Sequence, residues 1–195
     1  MIDRAEIKAD AKEKIKGKIG SLLIIGIIYV IIMAVLGFFT GGIGFIVLGG
    51  AFTLAMNMIF IGIAKNNTTP DVKDLFATMN SKDISRGFFA TVRQWFFIWA
   101  WSLLLIVPGI VKAFAYSQMY FLMAENPDMS AADAQKKSIE MMRGHKGELF
   151  VLYLSFIGWM LLAELTFGIL LIWLAPYIST TFANFHLKLL EKEAK

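Results

Sequence analysis

Cysteine is absent from this chain, and histidine occurs only twice, as His145 and His186. The first absence excludes disulfide scaffolds, thiol catalysis and cysteine-based zinc or iron–sulfur sites. Two histidines are too few for a His-rich metal centre, and no cofactor is expected. Charge is sparse: 17% of the 195 residues are Asp, Glu, Lys or Arg, against about a quarter in a soluble domain. No phosphate-binding glycine–lysine loop, HExxH, nucleophile elbow or paired-aspartate metal motif occurs, so no catalytic and no metal-ligating residue is assigned. What the chain does contain is apolar: 57% hydrophobic residues, with 17 Phe, 5 Trp and 5 Tyr, and a mean hydropathy of +0.64. That aromatic content excludes disorder. An all-α, multi-pass integral membrane protein is the class that remains.

A spanning helix needs roughly 20 apolar residues to cross about 30 Å of hydrocarbon. Such runs extend over Ile19–Thr40 and Gly41–Ala64, separated by a glycine-rich turn. A third block, Phe88–Ala124, is long enough for two spans, and Pro108-Gly109 is expected to form the turn between them. The fourth, Leu149–Leu187, divides at Glu164-Leu165-Thr166-Phe167-Gly168, and Pro176 then falls inside the last span as a kink. The expectation is six transmembrane helices in three hairpins.

The basic residues agree with that spacing. Six lie before Lys18 or at it, four between Lys65 and Gly87, four between Asn126 and Gly147, and three after Leu187. Only Arg93 and Lys112 remain inside apolar runs. Lys and Arg collect on the cytoplasmic side of membrane proteins, so both termini are expected there. Acidic residues break the basic amino-terminal segment and no clean small-x-small site follows, so a cleaved signal peptide is not expected. The net charge of +4 reflects orientation, and nucleic acid is not an expected partner.

Each expected hairpin is preceded by a polar segment that reads as an amphipathic cytoplasmic helix. Residues 3–18 repeat Ile7, Ala11, Ile15 and Ile19 at i, i+4 spacing, with Asp10 and Lys14 as a pair. Residues 70–86 carry Val72, Leu75, Phe76 and Met79. In the third, Ser130 is the expected cap; Ala131, Ala134, Ser138, Met141 and Met142 form one face, and Asp133, Lys136, Lys137, Glu140 and Arg143 the other. One membrane domain, 1–195, would then comprise hairpin units 1–64, 70–125 and 128–190. Aligning Pro108 on Pro176 also matches Ile110 with Ile178 and Phe114-Ala115 with Phe182-Ala183. Either a same-sense triplication or chance similarity between apolar helices accounts for this.

The stretch from Leu105 to Ser117, LIVPGIVKAFAYS, resembles the signature of the bacterial DUF975 family of uncharacterised membrane proteins. The resemblance continues through Ala124-Glu125-Asn126-Pro127, Lys137-Ser138, Met142-Arg143-Gly144-His145-Lys146, Leu154–Trp159, Thr166–Ile169 and Ala175-Pro176-Tyr177. It covers roughly residues 70–190. Two positions depart from the family pattern: Glu125 stands where Asp is usual, and Phe185-His186 where Phe-Tyr is usual. The resemblance implies a multi-pass protein of the bacterial cytoplasmic membrane and no established activity. Related domains precede glycerophosphodiester phosphodiesterase domains elsewhere, and no such domain is present here.

Ionisable groups within apolar runs are candidates for function. Lys112 and Glu164 fall near the outer turns with opposite signs, as an ion pair or as two independently snorkelling side chains. Arg93 reads as an interfacial arginine, and Trp95, Phe96, Phe97, Trp99 and Trp101 as lipid-facing or helix-packing aromatics. Asn57, Ser102, Tyr116, Ser117, Gln118 and Ser155 are expected to make interhelical hydrogen bonds. The stretch with Glu125, Asn126, Asp128, Lys136, Lys137, Arg143, His145 and Lys146 forms a membrane-surface or partner-binding face, its basic residues drawn to anionic lipid.

Three function classes follow. The first is non-enzymatic binding of a lipid, a membrane-protein partner or a second copy of the chain. The second is a small transporter or immunity-type exporter using Lys112 and Glu164. The third is a lipid-modifying enzyme using His145 as acid or base.

Overall fold

The computed structural model describes residues 3–104 and 106–193, with side chains described outside 102–107. Among these residues the chain is helical throughout, without a strand. Helix α1 (Arg4–Lys14) starts where the Asp3 carboxylate accepts the Ala5 amide at 2.8 Å. Its i, i+4 stripe of Ile7 and Ala11, continued by Ile15, is fully buried. Asp10 and Lys14 pair at 2.7 Å, and Lys14 also donates to the Ala64 carbonyl of the third helical segment.

Helices α2 (Ile19–Phe39) and α3 (Ile43–Asn66) are joined by Gly41 and Gly42, whose φ values of 59° and 91° let the chain reverse. Helix α3 is the central pillar, while most of α2 is exposed and apolar. A 3-10 turn over Val72–Phe76 leads to α4 (Ser81–Leu104), which lies against α3. The two backbones touch: a Cβ on Gly50 would stand 2.0 Å from the Gly87 carbonyl oxygen. Only glycine permits this approach.

The return from α4 is made by two short helices, α5 (Ile106–Tyr116) and α6 (Met119–Glu125). Helix α7 (Ala131–Met141) is capped by Ser130 Oγ, which accepts the Asp133 amide at 3.1 Å. It packs Ala131, Ala134, Gln135, Ser138 and Met141 against α4, α5 and α6, so that face meets protein rather than headgroups. Helices α8 (Lys146–Leu154) and α9 (Ile157–Leu165) follow almost continuously. After a turn through Phe167 and Gly168, α10 (Leu171–Glu193) runs back along α3 and ends against α1. Asn184 donates to the Ile7 carbonyl at 3.1 Å and Lys188 pairs with Glu6 at 3.0 Å, so the first and last helices share one end of the bundle.

The expectation of six transmembrane helices in three hairpins is overturned. Among the described residues three helices are long and apolar enough to cross a membrane: Ile19–Phe39, Ile43–Asn66 and Lys146–Leu165, the last formed by α8 and α9. Helix α4 has the length, but Lys82, Asp83, Arg86, Arg93 and Gln94 dilute it. The block after it is divided into helices of 11 and 7 residues. Helix α10 is diluted by Ser179, Thr180, Thr181, Asn184, His186 and Lys188. The amphipathic helix expected over 70–86 is also absent as such: those residues form the 3-10 turn and the first turns of α4. Pro108 and Gly109 lie within α5, close to residue 105, which falls outside the described residues. Pro176 lies inside α10.

Candidate functional site: a cavity joined to a buried histidine

A chain of polar side chains runs inward from the end of the bundle that carries α1 and α7. Gln118, Phe121 and Glu125 follow at i, i+3 and i+7, a spacing that places them on one face of α6. His186 of α10, with no solvent exposure, fits against that face. Its Nδ1 lies 3.1 Å from Gln118 Oε1, its Nε2 lies 3.1 Å from Glu125 Oε2, and its ring stacks on Phe121 at 5.2 Å. Lys65, at the end of α3, reaches Glu125 Oε1 at 3.2 Å and is itself exposed. Inward, Gln118 Nε2 donates to Ser117 Oγ at 2.9 Å.

Both ring nitrogens of His186 face oxygen acceptors. The network is fully satisfied by the doubly protonated ring with Glu125 as its counter-ion; a neutral ring requires the Gln118 amide to turn over or Glu125 to take the proton. The hydrogen bond from His186 holds the Glu125 carboxyl below the usual carboxylate range, against the opposing effect of burial and with Lys65 assisting.

Ser117, Gln118 and Phe121 also line a cavity of about 310 Å³ between α2, α3, α8 and α10. Tyr29, Thr53, Asn57, Tyr153 and Ser179 supply further polar groups, and Phe60 and Phe182 apolar ones. No charged side chain lines it. The Asn57 amide donates to the Thr53 carbonyl at 2.8 Å. Tyr29 and Thr53 also line a neighbouring cavity of about 360 Å³ toward α4, where Thr91 and Tyr120 share a 2.7 Å hydrogen bond.

The residues singled out in the sequence are dispersed. Lys112 Nζ sits 4.6 Å above the Trp101 ring, Glu164 is exposed on the last turn of α9, and no ion pair joins them among the described residues. Glu125 belongs to the histidine network. Asn126 donates to the Leu122 carbonyl at 2.9 Å, closing α6. Asp128 pairs with Lys82 at 2.5 Å, which lowers its pKa. Lys136 and Arg143 are exposed, and Lys137 approaches Glu193 at 3.9 Å. His145, just before α8, places Nδ1 2.9 Å from Glu148, one turn further along. Thus Glu125 and His145 have different partners, and His186 takes the place beside Glu125. The side chain of Ser102 lies outside the described residues. Among those described, no group of three or more His, Asp or Glu could hold a metal ion.

Two residues of structural weight escaped the sequence reading. Arg86 donates to the carbonyls of Met129, Met123 and Asn126 at 3.1, 3.0 and 2.9 Å and pairs with Asp83 at 2.6 Å, tying the loop before α7 to α4. His186 is the other. Its hydrogen-bond partner Glu125 lies 61 positions away, so no local pattern announces it.

No curated protein and no solved structure matches the chain. Residues 89–193, more than half of it, match the family described as Protein of unknown function (DUF975), and they include α6 and α10, which carry Glu125 and His186. With three membrane-length apolar helices beside that match, the chain is a membrane protein belonging to the DUF975 family.

Proposed function

We propose that the protein is a non-enzymatic component of the bacterial cytoplasmic membrane that holds an uncharged amphipathic molecule, foremost a lipid, in the cavity beside Gln118. The lining carries this reading: hydroxyl and amide groups lie among aromatic rings, with no charged side chain. An ionic ligand would lose its hydration there without compensation, whereas a neutral polar head can exchange hydrogen bonds with Asn57, Gln118 and Ser179. A volume of about 310 Å³ is at the lower end of small-molecule sites, which run from roughly 300 to 1,000 Å³. Such a cavity takes a small molecule or part of a lipid. The end bearing α1 and α7 faces the cytoplasm in this reading, supported by its lysines and by the anionic surface they would meet.

The test is photolabelling with an uncharged diacylglycerol carrying a photoreactive acyl chain, followed by mapping of the labelled peptides. Label on the peptides of Phe60, Phe121 and Phe182 is expected. Label confined to the outer face of α2 would overturn the reading.

A second reading, a small proton-coupled transporter, is favoured by the continuous Lys65–Glu125–His186–Gln118 chain between the exposed end and the cavity. Lys112 and Glu164 do not support it. Ligand flux that follows a pH gradient and is lost in His186→Phe would favour transport over binding alone.

A further inference from the structure

A second site lies on the other side of α4. Arg93 projects into a groove of about 550 Å³ whose walls are Phe89, Val92, Phe96 and Phe97 of α4 and the first turn of α7. The guanidinium is only half-exposed and forms no ion pair among the described residues. Its Nε donates to Gln135 Oε1, and its carbon lies 5.2 Å from the Phe97 ring centre. Those contacts fix the arginine without neutralising it. The amide nitrogen of Gln135, buried at 3% exposure, has no hydrogen-bond partner. Asp133, the acidic residue in the first turn of α7, accepts from Ser130 Oγ at 2.5 Å.

Beside this uncompensated cation the groove is open and apolar. Phe89 and Phe96 are 62% and 59% exposed, and Trp99, one turn beyond Phe96, is exposed as well. Arg93 stands about two helical turns, or about 10 Å, inward from Arg86. That depth suits the boundary between headgroups and acyl chains, where arginine and tryptophan are favoured. The required occupant has one anionic, multi-acceptor head and an apolar tail leaving from the same point.

We propose that this groove binds an anionic glycerophospholipid, its phosphodiester against the Arg93 guanidinium and one acyl chain along Phe89, Val92 and Phe96. A guanidinium matches phosphate oxygens in a fork geometry that an ammonium lacks. The groove shares no lining residue with the cavity at Gln118, so the two sites fail or stand separately.

The experiment is native mass spectrometry of the detergent-solubilised full chain, titrated with phosphatidylglycerol, with diacylglycerol of the same chains, and with glycerol phosphate. The intact protein is expected to prefer phosphatidylglycerol. Arg93→Gln should lose about tenfold in that affinity, with diacylglycerol binding unchanged, and Arg93→Lys should recover only part of it. Phe89→Ser with Phe96→Ser, two exposed positions that leave the core intact, should weaken the lipid and spare the arginine. Equal binding of phosphatidylglycerol by the intact chain, by Arg93→Gln and by the Phe89→Ser, Phe96→Ser double variant would overturn the proposal. So would equal binding of diacylglycerol, or displacement of the lipid by glycerol phosphate, which would point to a soluble phosphate ligand.

Discussion

Glu125 and His186, 61 positions apart in sequence, meet at 3.1 Å in the interior, with the imidazole fully buried and the carboxylate anchored on its other oxygen by Lys65. Neither helix can shift along the other without breaking this contact. The pair therefore fixes the register of α6 on α10 and, through Gln118, the wall of the cavity.

Replacing Glu125 by Gln removes the negative charge and one of the two oxygens, so His186 Nε2 and Lys65 Nζ are left with a single acceptor between them. Leaving a buried partner unsatisfied costs about 1–3 kcal/mol. Because the folded-state pKa of Glu125 is depressed, its ionised form favours the folded state above the ordinary carboxylate range, and that contribution disappears as pH falls through the folded value. Thermal unfolding in detergent should show a lower Tm for Glu125→Gln at pH 7 and a shrinking difference as pH is taken below 4. The cycle with His186→Tyr should give a coupling energy of about 0.5–3 kcal/mol.

The α3–α4 contact makes an opposite kind of prediction. A methyl group on Gly50 would collide with the Gly87 backbone, whereas one on Gly26 meets nothing within 4 Å. Gly50→Ala should therefore unfold the protein or lower its Tm sharply, since backbone cannot yield as a flexible side chain does. Gly26→Ala should be neutral or slightly stabilising. Tm values measured side by side decide the comparison.

Arg86 holds three carbonyls of the chain before α7. Arg86→Lys cannot reproduce that fork. Limited proteolysis between residues 126 and 130 should accelerate in both Arg86→Lys and Arg86→Ala, more in the latter, and remain slow in Lys82→Ala. Equal rates in all four proteins would remove the assigned role.

Lys112 rests on Trp101 and Glu164 is exposed, so each acts alone. Lys112→Met and Glu164→Gln should combine additively in stability, within about 0.5 kcal/mol. A larger coupling would require the two charges to meet.

Local patterns were readable before any coordinates. The buried stripe of α1 follows from Ile7, Ala11 and Ile15 at helical spacing, and the start of α7 from Ser130 and Asp133, because both depend on neighbours within one or two turns. The number of membrane-length helices was not readable from apolar runs alone. Dividing Phe88–Ala124 into two spans took Arg93 as interfacial and Ser117 and Gln118 as polar residues within a span, and their partners Gln135 and His186 are seen only in the fold. His186 illustrates the same difficulty: its partners lie 61 and 68 positions away, and hydropathy carries no trace of them.

The central claim is that the cavity beside Gln118 holds an uncharged amphipathic molecule. Native mass spectrometry of the protein, gently extracted from its own membrane, compares the intact chain with Ser179→Phe, which fills the cavity from α10. The account predicts a bound neutral amphipath at a fixed ratio on the intact chain and its loss from a folded Ser179→Phe protein. An intact chain without such a molecule, or a variant that keeps it, would contradict the account.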